Sequence, residues 1–344
     1  MGRKKRLWIC CVFFLIWMMQ NVYVYSADNV VYNEEENDTS RVYTYEMQPS
    51  LEIEQPETYY DNPPNAYAEL KTPADIVQIG NMYFISDTYH NQVLYSRTLD
   101  KPIKEWYVMA KDLELPHGLA GDGTYYLVLD TERNRVCVYE WILGGFRYTQ
   151  VLEDIGERPH YIRYDENEKV FYVWSSMTGD MYILAVDETI GRVCIKEVRH
   201  IYEYENQYIR SFYLFGEYIV FPSGTNQYMT IARKDTLEIV ARYPVTEEIA
   251  GMAHVWYIGD YYYITVSTDL WGNQDKAKII RTKGLEDLKD GKYEDMSYVF
   301  PSLGVPYYME KIGGNYYLTN HGTRAYIYRF YAVENEIKEM KILY

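Results

Sequence analysis

One pattern recurs six times along this sequence and leaves few architectures open to it. A tight turn leads into an aromatic-rich strand, and the strand ends in a small polar cluster. The first copy reads Gly80-Asn81-Met82-Tyr83-Phe84-Ile85-Ser86-Asp87 and the second Gly123-Thr124-Tyr125-Tyr126-Leu127-Val128-Leu129-Asp130. Further copies begin at Glu168, Gly216, Gly259 and Gly313. From Gly80 to Gly313 the unit averages roughly 47 residues, the length of a four-stranded blade. A single blade cannot bury both of its faces, so the units must stack around an axis and close into a ring. The expected fold is therefore all-β: a six-bladed β-propeller of four-stranded antiparallel blades over residues 70–344.

Tyrosine supplies most of the aromatic content, with 41 residues against ten phenylalanines. Its ring suits a pleated surface while its hydroxyl stays wet. Tyr83, Tyr125, Tyr172, Tyr218, Tyr262 and Tyr316 recur at matching places and read as blade packing. The net charge is −16, and phosphate backbones demand clustered Lys and Arg, so nucleic acid is excluded as a partner.

Residues 1–26 read as a signal peptide or N-terminal anchor. Arg3-Lys4-Lys5-Arg6 is followed by an uncharged stretch over 7–19, and Val24 and Ser26 permit cleavage before Ala27. Cleavage gives a secreted protein. Retention gives one anchored at the membrane by this segment alone. Residues 27–69 carry eleven acidic residues, one arginine and four prolines, the composition of an acidic, mostly extended spacer. Within it, residues 42–47 could form a strand that augments a blade edge. Cys137 and Cys194 lie in strands of neighbouring repeats and read as buried thiols rather than a disulfide.

The clusters Asp87-Thr88-Tyr89-His90-Asn91-Gln92-Val93 and Asp130-Thr131-Glu132-Arg133-Asn134-Arg135-Val136 resemble the strand-end motif of NHL-repeat six-bladed propellers. Pro116-His117-Gly118-Leu119 resembles that family's blade opening. Two later clusters, at Ser223 and Asn320, are loose versions, and the third and fifth repeats depart from the motif. The resemblance implies architecture. Asp87, Asp130 and Asn134 then hold turns by bonding local backbone groups.

In a four-stranded blade, the first strand starts and the second ends on the same face. Aligning the repeats on their turns places Asp75, His117, His160, Arg210, His254 and Tyr307 or Tyr308 at first-strand starts, around the axial channel. His90 and His321 fall on the same side, with Trp256 near the rim, and His200 sits in a connector. Polar groups converging in a concavity form a candidate site for a protein, peptide or glycan ligand. The arrangement also resembles the peptidyl amidoglycolate lyases, a zinc-dependent branch of propeller enzymes. That resemblance implies His117, His160 and His254 as zinc ligands, Arg210 as charge stabiliser and Tyr307 as base. Residues 269–275 (Asp269-Leu270-Trp271-Gly272-Asn273-Gln274-Asp275) read as a solvated loop, with calcium binding or sugar stacking as the alternatives. Nucleophile elbows, His-Glu-x-x-His and phosphate loops are missing from the sequence.

Overall fold

The computed structural model describes residues 30–32, 40–55, 61–300, 304–322 and 325–344. The leader and the last two residues of the cluster that begins at Asn320 lie outside this set. Six antiparallel sheets follow in chain order, each with four consecutive strands as its body. The first blade runs Pro73–Ile79, Met82–Asp87, Gln92–Ser96 and Tyr107–Ala110, and the sixth runs Gly304–Ile312, Asn315–Gly322, Tyr326–Val333 and Glu336–Ile342. The chain is a six-bladed all-β propeller.

Strand periodicity explains the ring. Successive side chains point to opposite faces, and here both faces are covered by a neighbouring blade. Phe84 packs toward the second blade with Tyr126 and Val128, whereas adjacent Ile85 packs toward the sixth with Ile312 and Tyr317. In the third blade Phe171 and Val173 face the second, while Tyr172 and Trp174 face the fourth. Each junction therefore holds its own apolar cluster. At the turns, Gly80, Gly216, Gly259 and Gly313 adopt φ of 58° to 61°, a region glycine enters freely. The third repeat lacks that glycine, and Lys169 takes the left-handed conformation instead, with φ of 55°. Of the recurrent tyrosines, Tyr172 and Tyr316 are buried, but Tyr218 stays exposed at 40%.

Hydroxyls from second-strand ends tie four of the six blades to the next first strand. Thr88 donates to the Pro116 carbonyl, Thr131 to Pro159, Ser267 to Pro306 and Thr319 to Ala74, the last closing the ring. Asp87 accepts from the Lys71 and Thr72 amides, and Asp130 from that of Glu114. Asn134 accepts from the Arg158 amide and has φ of 54°. These cluster residues hold the turns and the blade junctions.

Part of the acidic segment is built into the ring. Ser40–Pro49 pairs antiparallel with the outer strand Arg192–Ile201 of the third blade, and Val30–Tyr32 pairs onto it in turn. Leu51–Glu52 then pairs with Gly145–Leu152, the outer strand of the second blade. Ser50 marks the crossing: its hydroxyl donates to Gln150 Oε1 at 2.8 Å. Asn62 accepts from the Phe146 amide, and Pro64 bridges to Tyr107 of the first blade. The segment is a belt across the outer edges of three blades, covering backbone groups that would otherwise be open to pairing. Cys137 and Cys194 are buried free thiols. Among the described residues, no helix is long and apolar enough to cross a membrane.

Candidate functional site

The site is built where first strands enter the channel. His160 is fully buried and sits in a β-bulge between Pro159 and Tyr161, and bulges often re-aim side chains in this way. Its Nδ1 faces the Arg210 carbonyl at 3.1 Å and the Tyr308 hydroxyl at 2.7 Å. A carbonyl only accepts, so Nδ1 carries the proton and Nε2 is the acceptor. Two hydroxyls compete for that nitrogen, Tyr208 at 3.0 Å and Tyr307 at 3.2 Å.

His117 stacks beside His160 with ring centroids 4.1 Å apart, and its Nδ1 donates to the Leu115 carbonyl at 2.8 Å. His321 stacks on Tyr307 at 4.1 Å and bonds the Pro73 carbonyl through Nε2. Two guanidiniums lie against Tyr208, Arg210 at 4.6 Å and Arg158 at 5.5 Å from the ring centre. Burial drives the histidines toward neutrality, helped by the nearby guanidiniums. His117 is lowered to about 3, His321 to about 4, and His160 also falls well below the usual range. Burial pushes the Tyr307 hydroxyl far up, so this phenol keeps its proton and suits donation rather than the base role the lyase resemblance implied.

His254 lies apart. Its Nδ1 accepts from the Met309 amide at 3.1 Å, and its Nε2 meets the Tyr161 hydroxyl at 2.6 Å. Both nitrogens are thus committed inside the protein, in a packed layer with Tyr161 and Tyr308. Among the described residues, no three His, Cys, Asp or Glu side chains are disposed to hold a metal ion. The expected zinc centre of His117, His160 and His254 therefore does not fit: only the first two meet. The calcium alternative at residues 269–275 fares no better. Asp269 Oδ1 accepts from the Trp271 and Asn273 amides, Asn273 Oδ1 accepts from Asp275, and Trp271 projects outward.

Beyond that ring layer, Arg163 is flanked by two carboxylates, Glu310 at 2.7 Å and Asp75 at 3.3 Å, and stacks 4.3 Å over Tyr161. Asp75 is thus a buried channel residue rather than a rim residue. Trp256 also departs from the rim: it pairs with Tyr263 near the hairpin end of its strand and packs on Tyr213. His90 is turned toward Tyr67 and bonded to Asp87, and His200 is held by Asp180 and Glu205. Neither reaches the axis. Arg158, Tyr208 and Arg163 carried no motif in the sequence. Their only signal was position, beside a first-strand start or along it.

One guanidinium between two buried carboxylates leaves a surplus negative charge. Burial raises Glu310 to about 7 from 4.5, with Asp75 adding to the rise and Arg163 opposing it, and burial raises Asp75 as well. The folded value exceeds the unfolded one, so the native state holds more protons between pH 4.5 and 7. Stability is then fully present below about 4.5 and is lost as pH rises through about 7. The buried neutral histidines contribute the opposite slope to wild type and variant alike, so the Glu310 contribution is read as a difference. In urea denaturation, the stability of wild type relative to Glu310→Gln should fall by about 3 kcal/mol from the lower to the upper end of that window. A wild-type-to-variant difference that does not change with pH would overturn the assignment.

No family model matches the chain, and no curated protein matches it. Solved structures do. A putative 6-phosphogluconolactonase from Bacteroides fragilis superposes with a TM-score of 0.54 at 11% identity, covering 78% of this chain and 84% of that one. A structure of streptogramin B lyase gives 0.53 at 13% identity, covering 82% and 86%. A catalytically inactive virginiamycin B lyase from Staphylococcus aureus, with quinupristin, gives 0.53 at 12%, covering 82% and 87%. At these identities the likeness establishes the propeller fold and nothing finer.

Proposed function

We propose that the protein is an exported binding module that engages a protein, peptide or glycan at the axial mouth. The observation that carries this reading is the contiguous cluster of Arg158, Tyr208, Arg210, His117, Tyr307 and His321 at the entrance of the first strands. Rigid aromatic and guanidinium groups of this kind dominate binding sites. The lyase or hydrolase reading has support only from enzymes that share the fold, and a fold hosts many functions. Its metal set is not assembled, and its base candidate is a protonated phenol.

The test is a peptide and glycan array probed with wild type, Tyr208→Ala and Trp256→Ala. Ligands of the mouth should bind Tyr208→Ala at least about tenfold more weakly, while Trp256→Ala, altered past the ring layer, should bind as wild type. Equal binding by Tyr208→Ala and wild type would remove the mouth as the site. Mass spectrometry of each recovered ligand after incubation checks the enzyme reading, which requires a changed mass.

A further inference from the structure

We propose that the mouth recognises an oxyanion, a carboxylate or phosphate group of the ligand, with Arg210 and Arg158 as its charged donors. This rests on the binding reading above and supplies its chemistry.

Hydrogen-bond donors at the mouth exceed the acceptors. Arg210 gives one bond from Nη1 to the Met252 carbonyl at 3.2 Å, and no carboxylate among the described residues pairs with it. By contrast, Arg135, Arg192, Arg199, Arg242 and Arg281 each pair with an acid. Arg158 pairs through Nη2 with Glu132 at 2.8 Å, yet its Nε is buried without a partner. A buried donor left unmatched costs stability, so a site that retains one gains when a ligand supplies the acceptor.

The hydroxyls point the same way. His160 Nε2 has a single lone pair, and Tyr208 and Tyr307 both stand within bonding distance of it. Only one can donate there, so the other has a proton to give elsewhere. Two guanidiniums against one carboxylate also leave the mouth positive, on a chain whose net charge is −16. The positive charge does not depend on histidine protonation, because arginine stays charged at any working pH. Tyr208 holds both guanidiniums by stacking, which limits the freedom they would lose on binding. A planar fork of N–H donors with a hydroxyl beside it matches the oxygens of a carboxylate or phosphate. His117 adds selectivity. Its Nδ1 proton is spent on Leu115, so its Nε2 can accept from a hydroxyl or N–H next to the anion.

The experiment is isothermal titration of the full chain with inorganic phosphate, D-glucuronate and D-glucose at matched ionic strength. At least one anion should bind wild type, and glucose should not. Arg210→Gln should weaken the bound anion at least about tenfold. Arg158→Gln should weaken it in the same direction, and Arg192→Gln, on the outer edge, should leave it unchanged. Phosphate binding alone assigns a phosphate-bearing ligand, and glucuronate binding alone a carboxylate. The proposal is overturned if neither anion binds more tightly than chloride, or if Arg210→Gln and Arg158→Gln both bind as wild type. Should that happen while array ligands still depend on Tyr208, the oxyanion is lost and the binding module stands. Blank arrays alongside anion binding that is lost in Arg210→Gln would do the opposite: the oxyanion site would stand and the macromolecular ligand would fall.

Discussion

Replacing Arg163 by methionine should cost about 3–5 kcal/mol of folding stability near neutral pH, because it strands buried carboxylates without their counter-charge. Asp75 is almost wholly buried, and Glu310 retains only 17% exposure of its side chain. Methionine fills much of the same volume, so the loss reports charge more than packing. Its pH dependence separates the two causes. As the pH falls below the raised carboxylate values, both acids take up protons and most of the penalty disappears. A packing defect would persist unchanged. Urea denaturation of wild type and Arg163→Met at about pH 5 and about pH 8 reads the difference directly. A penalty equal at both pH values would show that the triad is not electrostatically coupled.

Trp174→Ala should be comparably severe, at about 3–5 kcal/mol. The indole is fully buried at the junction of the third and fourth blades, against Phe221 at 4.7 Å and Tyr204 at 6.0 Å. Its Nε1 donates to the Ile209 carbonyl at 2.9 Å, the tie that sets the chain into the fourth blade. Alanine leaves both a cavity and an unmatched carbonyl. Trp174→Phe should restore part of the packing but not the bond, and so fall between the two. Because Ile209 adjoins Tyr208 and Arg210, the alanine variant should also loosen the mouth. Chemical denaturation measures the first effect, and anion titration the second. A loss under about 1 kcal/mol would contradict this account of the junction.

The architecture was legible because its cause is local and repeated. Alternation of apolar residues, a turn glycine or its substitute, and a polar cluster recur in each unit, and a ring is how such units bury both faces. The NHL-type clusters at Asp87 and Asp130 were legible for the same reason, since an aspartate that bonds nearby amides does so within its own neighbourhood. The site was legible only in part. His117, Arg210 and Tyr307 stand six residues before their turn glycines and reach the mouth, whereas Asp75 and His254 stand five before and sit a level deeper. One residue along a strand sends a side chain to the other side. Bulges at Pro159/Tyr161 and Pro306/Met309 shift the count again. No residue type announces those bulges, so the alignment set His254 beside His117 and His160, where the fold brings His321 instead. Arg158 and Tyr208 belong to loops, whose placement depends on neighbouring blades rather than on their own sequence.

The belt has a consequence for biogenesis. Pro49 pairs with Cys194, so the first partner of the docking reaction is made roughly 150 residues before the second. At cellular synthesis speeds that wait lasts on the order of 10–30 s. Throughout it, an extended ribbon with unspent amides must avoid adhering to itself or to other nascent chains. Residues 27–69 carry eleven acids against one arginine, and that surplus of like charge disfavours the pairing of one such ribbon with another.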